Sequence, residues 1–229
     1  MLTKAEIKRL KSLGEKKYRD QYGQFLVEGE KMVGEALASG FNVLEVYRED
    51  PETMSRISAL STAPPVAALV QKPQPRPLSL ERGLYLALDS VRDPGNMGTL
   101  LRLADWFGIS TVFASQDCVE IFNPKVVQSS MGSIFRVNAV YCDLPEICHR
   151  FRAMDIPVYG TFMNGENIYT QNLAAEGLII MGNESNGISP EVASCVSTRL
   201  NIPSFGGGAE SLNVATAAAV VLSEFRRRQ

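Results

Sequence analysis

The chain has 229 residues, 45% of them hydrophobic, with a net charge of −2, which suits one large domain or two smaller ones and excludes a polycation. No apolar run reaches the roughly 18 residues of a membrane helix. The N-terminal stretch MLTKAEIKRLKSLGEKKYRD has no apolar core behind its charges, so no secretory leader is expected and a cytoplasmic location is.

Residues 1–19 carry Lys4, Lys8, Arg9, Lys11, Lys16, Lys17 and Arg19 against Glu6 and Glu15, a local net of +5. Ile7, Leu10 and Leu13 recur beside them at helical spacing. The basic residues read equally as a solvated helix face or as a patch for a polyanion. Gln24–Gly29 then reads as a strand or turn, and Glu30–Ser39 as a helix stopped by Gly40. Val43–Tyr47 reads as a strand, Met54–Leu60 as a helix and Val66–Val70 as a strand. This is a small α/β unit, residues 1–72. Pro73, Pro75 and Pro77 make 73–82 an extended linker.

From 83 to 229 strand and helix patterns alternate. The predicted strands are Leu84–Leu88, Thr111–Ala114, Ile134–Tyr141, Pro157–Phe162, Gly177–Met181 and Arg199–Ile202. The predicted helices are Asn96–Phe107, Pro124–Ser130, Leu144–Met154, Pro190–Val196 and Leu212–Arg228. Strands separated by helices imply a parallel sheet covered on both faces.

The four cysteines form no Cys-x-x-Cys pair, and the spacing of Cys142, Cys148 and His149 is poor for zinc, so no metal is expected. His149 is the one histidine, which leaves little room for imidazole-based acyl chemistry. Three polar clusters stand where apolar runs end. The first is Asp93-Pro94-Gly95-Asn96-Met97-Gly98, with Arg102 downstream and Asn96 read as a helix cap. The second is Gly182-Asn183-Glu184-Ser185-Asn186-Gly187. The third runs from Ile202-Pro203 through Gly206-Gly207-Gly208 to Ser211-Leu212-Asn213, with Ser211 as the cap of the last helix. The glycines lack the following Lys-Ser/Thr of a P-loop and the order of a dinucleotide fingerprint. Each cluster alone is also an ordinary strand-to-helix turn.

Taken in order, the clusters resemble the SpoU/TrmH family of RNA ribose 2′-O-methyltransferases, within the knotted methyltransferase superfamily. The likeness rests on Asn96, Gly98 and Arg102; on Gly182, Asn183, Glu184 and Gly187; and on Ile202, Pro203, Ser211, Leu212, Asn213 and Val214. Leu2–Arg9 and Gln24–Met32 resemble, more loosely, the small substrate-binding domain of ribosomal-RNA members.

The resemblance implies a parallel sheet with a deep trefoil knot in residues 83–229. It implies S-adenosylmethionine (AdoMet) held by Thr161, Gly182, Asn183, Ile202, Ser211 and Leu212. Catalytic roles fall to Asn96, Arg102, Glu184, Ser211 and Asn213, Arg102 being the group that activates the hydroxyl. Because a guanidinium stays protonated, Arg102 is expected to act mainly as an electrostatic clamp, fixed by Asn96 and Glu184. RNA contacts fall to Lys8, Arg9, Lys11, Lys16, Lys17 and Arg19. A homodimer is implied, the last helix contributing Val214, Ala217, Ala218 and Val221, residues that read equally as core. Neither a membrane nor a metal is expected among the partners. The RNA is expected to be ribosomal, with transfer RNA as the alternative. The other readings are an RNA-binding or ribosome-assembly protein without turnover, a base-directed knotted methyltransferase, and a small-molecule enzyme. AdoMet binding and RNA dependence separate them.

Overall fold

The computed structural model describes residues 2–74, 78–206 and 211–227. Pro75 and Pro77 of the linker, residues 207–210 of the glycine-rich loop and Arg228 lie outside the described residues. In chain order the elements are α1 (Lys4–Ser12), α2 (Lys16–Tyr22), β1 (Gln24–Glu28), α3 (Glu30–Ala38), β2 (Val43–Tyr47), α4 (Pro51–Ile57) and β3 (Ala67–Gln71). There follow β4 (Leu84–Leu88), α5 (Pro94–Trp106), β5 (Thr111–Ala114), α6 (Pro124–Ser130), β6 (Asn138–Tyr141), α7 (Leu144–Ala153) and β7 (Val158–Asn167). The last are β8 (Gly177–Met181), α8 (Pro190–Ala193), β9 (Thr198–Asn201) and α9 (Val214–Arg227). They pack as two compact units, Met1–Leu78 with Glu120–Arg136, and Ser79–Val119 with Val137–Gln229.

The first unit is built on an antiparallel sheet of order β1-β3-β2. Thr3 starts α1 with a capping box: its hydroxyl accepts from Glu6 N, and Glu6 reaches back to Thr3 N. Ile7, Leu10 and Leu13, one helical stripe, are buried with Leu26, Tyr47, Met54, Ile57 and Leu69. Each such side chain contributes about 1.5–3 kcal/mol on burial. Gly23 takes the left-handed backbone (φ 62) that ends α2 and starts β1.

Sequence continuity places 120–136 with the second domain, whereas packing places it in the first unit. Its apolar side chains find partners there. The Phe122 ring lies 4.6 Å from that of Phe25, and the Phe135 ring 5.1 Å from that of Phe41. Arg19 Nη2 meets Glu120 Oε2 at 2.6 Å. The expected strand Ile134–Tyr141 is consequently split. Ser133–Phe135 forms a 3-10 turn after Gly132 (φ 98), and β6 starts at Asn138.

The second unit holds a six-stranded sheet of order β6-β5-β4-β8-β7-β9, every neighbouring pair parallel. Its central strands, Leu-Tyr-Leu-Ala-Leu and Gly-Leu-Ile-Ile-Met, are almost wholly buried, as strands covered on both faces must be. The turns into α5 and α7 share one chemistry, an Asp cap followed by a proline in the first helical turn. Parallel pairing places the carboxyl ends of all six strands along one edge. From β4 the chain steps outward through β5 and β6, and β8, β7 and β9 lie on its other side. The β4–β8 seam is therefore the topological switch, where open parallel sheets bind ligands.

Candidate active site

The first two clusters leave the sheet at this seam, directly after β4 and β8. Asp93, not Asn96, caps α5: its Oδ1 accepts from Asn96 N at 2.8 Å. Asn96 sits in the first turn with its amide free to bridge. Its Nδ2 donates to Glu184 Oε1 at 2.8 Å, and its Oδ1 accepts from Asn213 Nδ2 at 2.9 Å. Asn213 in turn caps α9, because its Oδ1 accepts from Ala215 N at 2.9 Å and Thr216 N at 3.3 Å. Ser211, the expected cap, lies upstream of that turn. One side chain from each cluster thus enters a single chain of hydrogen bonds.

Asn183 shapes the second cluster. Its Oδ1 accepts from Ser185 N at 2.9 Å and Asn186 N at 3.0 Å, and its backbone pairs in both directions with Gly187. Gly182 is required beside it. A Cβ there would meet Gly187 C at 2.2 Å and Ile188 N at 2.3 Å.

A cavity of about 480 Å³ opens next to this network. Thr161, Gly182, Asn183, Glu184, Ile202, Ser211 and Leu212 all line it, together with Met181, Ile188 and Ala217. Two of its walls come from an irregularity in the sheet. Leu200 of β9 pairs with both Thr161 and Glu166, so residues 162–165 bulge out of β7. Asn201 Nδ2 holds the bulge through Phe162 O at 3.1 Å and Met163 O at 2.7 Å. The volume and the mixture of apolar walls with a few convergent polar groups fit a ligand of nucleoside size. They fit AdoMet in particular, whose adenine suits apolar walls and whose ribose and amino acid suit polar groups at a rim.

Arg102 stands apart from the network. It is exposed on α5 and has no hydrogen bond or ion pair among the described residues. Asn96 and Glu184 hold one another rather than fixing Arg102. Its guanidinium remains available for a bidentate phosphate contact.

The basic N-terminal residues divide sharply. Arg19 is 2% exposed, and its guanidinium donates to Glu120 and to the carbonyls of Leu13 and Gly14, so it cannot reach an external phosphate. The expectation that it contacts RNA is corrected on that ground. Lys8 is exposed, with no partner among the described residues. Arg9 donates to Gln24, Lys11 to Ser58 O, Lys16 pairs with Asp20 and Lys17 with Glu15, all from exposed positions. On α9, Val214, Ala218 and Val221 are buried within the chain and Ala217 lines the cavity, so this stripe is core and cavity wall. Among the described residues no group of three or more His, Cys, Asp or Glu side chains could hold a metal, and no helix is long and apolar enough to cross a membrane.

Sequence reading missed Ser90, Ser115 and Asp117. Ser90 O accepts from Asn183 Nδ2 at 2.7 Å, and Asp117 holds Ser90. These partners are scattered serines and one aspartate, and no spacing marks them.

The sheet, the cavity at the carboxyl ends of β7, β8 and β9 and the three bonded clusters beside it define a methyltransferase of the SpoU kind. The SpoU rRNA Methylase family model matches residues 83–223, and a model described as an MRM3-like substrate binding domain matches residues 4–72. The chain belongs to the SpoU rRNA Methylase family. It is 32% identical, over 96% of both chains, to the 23S rRNA (guanosine(2553)-2′-O)-methyltransferase RlmP of Bacillus subtilis (strain 168). It superposes with a TM-score of 0.91 on a TrmH-family protein from Porphyromonas gingivalis assigned as an RNA methyltransferase, at 39% identity over the whole of both chains. An AdoMet-bound rRNA methyltransferase from Sinorhizobium meliloti gives a TM-score of 0.90 at 28% identity, covering 100% of this chain and 96% of its own.

Proposed function

We propose that the protein transfers a methyl group from AdoMet to a ribose 2′-hydroxyl in ribosomal RNA, with transfer RNA as the alternative substrate. The observation that carries this reading is the bonded series Glu184–Asn96–Asn213 at the rim of one cavity, joining three motifs that are far apart in sequence. The relative named for 23S rRNA and the family match over 83–223 support it.

AdoMet supplies a methyl group already activated by its sulfonium, so the residues here need only bind, orient and exclude water. Met181, Ile188, Ile202 and Leu212 wall the cavity against solvent, and Gly182 permits close approach of backbone. Asn183 and Glu184 present polar atoms to its edge. Arg102 clamps the phosphate beside the reacting ribose and orients the hydroxyl for in-line attack. A guanidinium stays protonated, so Arg102 is not the base: the new O–CH3 bond replaces the S–CH3 bond, the neutral thioether leaves, and the hydroxyl proton passes to solvent, its loss favoured by the Arg102 charge beside it. Ser211 and Asn213 complete the rim, Asn213 by fixing Asn96.

Lys8, Arg9, Lys11, Lys16 and Lys17 form the exposed basic face that holds RNA through its phosphates. The knot in the C-terminal chain and a homodimer belong to the same reading. The dimer is supported by large exposed apolar side chains in the second unit, among them Trp106 at 85% and Phe205 at 96% exposure. A cytoplasmic location belongs to the same reading.

The test is methyl transfer from radiolabelled AdoMet to purified ribosomal and transfer RNA, with primer extension at low nucleotide concentration to locate the site. A stop in 23S rRNA is expected. Arg102→Lys should keep RNA binding while turnover falls steeply. Wild-type turnover in Arg102→Ala contradicts the clamp.

A further inference from the structure

Behind the reactive rim lies a second polar group, built from the loops after β4 and β5. Asp117 Oδ2 accepts from Ser90 Oγ at 2.5 Å and from Arg92 Nη2 at 3.0 Å, and Asp117 Oδ1 accepts from Ser115 Oγ at 2.6 Å. The Ser115 oxygen also accepts from Ser90 N at 2.8 Å. The Ser115 and Ser90 hydroxyls and then the Arg92 guanidinium hold the Asp117 carboxyl well below the usual carboxylate range, so it is an anion at any working pH.

Ser90 has φ 58, in the left-handed region that a residue with a Cβ avoids. Such a conformation persists where its surroundings over-determine it. Here the Ser90 N–H and hydroxyl are both tied, to Ser115 and Asp117. The consequence lies at the third polar atom. In this conformation the Ser90 carbonyl accepts from Asn183 Nδ2 at 2.7 Å, and the same amide nitrogen lies 3.3 Å from Glu184 Oε2. The contacts run without a break from Asp117 through Ser90, Asn183, Glu184 and Asn96 to Asn213.

We propose that Asp117 is a positioning residue for methyl transfer: it holds Ser90 in its left-handed conformation, so that the Ser90 carbonyl fixes the Asn183 amide and, through it, the Glu184 carboxylate. The inference rests on the reading of that rim as the methyl-transfer site. Asp117 and Arg92 are 45% and 68% exposed, so the group is not a packing element and its loss leaves the hydrophobic core intact.

The experiment compares the full-length wild type with Asp117→Ala, Asp117→Asn and the double variant Ser90→Gly/Asp117→Ala, using AdoMet and the RNA that the wild type methylates. Asp117→Ala should lower kcat about 10- to 100-fold, as a small misplacement of reacting groups does, and raise KM for AdoMet, since Asn183 and Glu184 also line the cavity, while the melting temperature changes little. Asp117→Asn should recover part of the loss, since an amide oxygen still accepts from Ser90. The double variant should recover more than half of the lost rate, because glycine takes φ 58 without a Cβ penalty. A fall in kcat that Ser90→Gly leaves unchanged overturns the proposal, as does a wild-type kcat in Asp117→Ala. The Asn183 side-chain amide resonances, assigned with Asn183→Ala, read the same geometry without turnover. They should move in Asp117→Ala and return in the double variant, and resonances unmoved in Asp117→Ala overturn the proposal too. A wild type that transfers no methyl refutes the enzymatic reading alone, and the resonances then decide the geometry.

Discussion

Asn96 Nδ2 donates to Glu184 Oε1 at 2.8 Å, although the two residues are 88 positions apart in the chain. The bond has a direction that can be tested. Asn96→Asp keeps the acceptor facing Asn213 but replaces the donor with a second carboxylate against Glu184. Like charges at this range repel, so the variant should lose about 1 kcal/mol of stability and most of its turnover. Adding Glu184→Gln supplies an amide that donates to the new carboxylate. The melting temperature should recover in the double variant, and thermal unfolding of the four proteins closes the cycle. Additive losses would show that the two side chains are not coupled.

Gly182→Ala should be among the most damaging single-methyl changes in the second unit. The added Cβ would stand 2.2 Å from Gly187 C and 2.6 Å from Gly187 O, backbone atoms that the Asn183–Gly187 pairing holds in place. Overpacking of this kind costs about 1–3 kcal/mol, and the strand ends must part to relieve it. Calorimetric titration should show AdoMet affinity lost at a temperature where circular dichroism still reports a folded chain. Gly187→Ala is a useful contrast. A Cβ meets nothing there within 4 Å, and its penalty comes from φ 68 alone.

Three of the four free cysteines should resist alkylation in the folded protein. Burial pushes the Cys148 thiol up to about 12 and the Cys142 thiol up to about 11, and raises that of Cys118. The thiolate is the reactive form, and at pH 8 a thiol titrating near 12 is ionised in about one molecule in ten thousand. Mass spectrometry after iodoacetamide treatment at pH 8 should find these positions unmodified until denaturant is added. Raising the pH increases the thiolate fraction, so labelling should accelerate between pH 9 and 11, first at Cys142, which is half-buried where Cys148 is fully buried. Rapid modification of Cys148 at pH 8 in the native protein would contradict its burial.

The parts of the fold legible in the sequence are those decided by local pattern. β4, β5, β8 and α6 have the bounds their apolar runs and prolines imply, because an inner parallel strand is apolar throughout and a cap-proline pair starts a helix in one register. The three polar clusters were legible as strand-end loops for the same reason. Long-range partners decided the rest. Ser211 and Asn213 are both good caps by composition, and Asn213 prevails because its amide is also held by Asn96. Phe122 and Phe135 read as part of an alternating strand-helix series, but their ring partners are Phe25 and Phe41. Ser90 carries no mark of its left-handed backbone, since the side chains that impose it lie 25 and 27 residues on.

Arg19 and Lys8 make the same contribution to the local charge count and should behave oppositely. The Arg19 guanidinium is enclosed, with Glu120 Oε2 at 2.6 Å and the Leu13 and Gly14 carbonyls at 2.8 and 2.9 Å. Arg19→Ala therefore strands a largely buried carboxylate and two backbone acceptors, a loss of about 3 kcal/mol even with Lys72 still 3.2 Å from Glu120. Removing Lys8 from an open surface should change stability by no more than about 0.5 kcal/mol. Binding reverses the ranking. Each phosphate contact adds roughly 0.7 to 0.9 to the slope of log affinity against log salt, so Lys8→Ala should flatten that slope by about this amount. Fluorescence anisotropy with labelled RNA, between about 50 and 200 mM salt, measures it. Arg19→Ala, assayed well below its lowered melting temperature, should keep the wild-type slope. An unchanged slope in Lys8→Ala would remove this face of α1 from the RNA-binding surface.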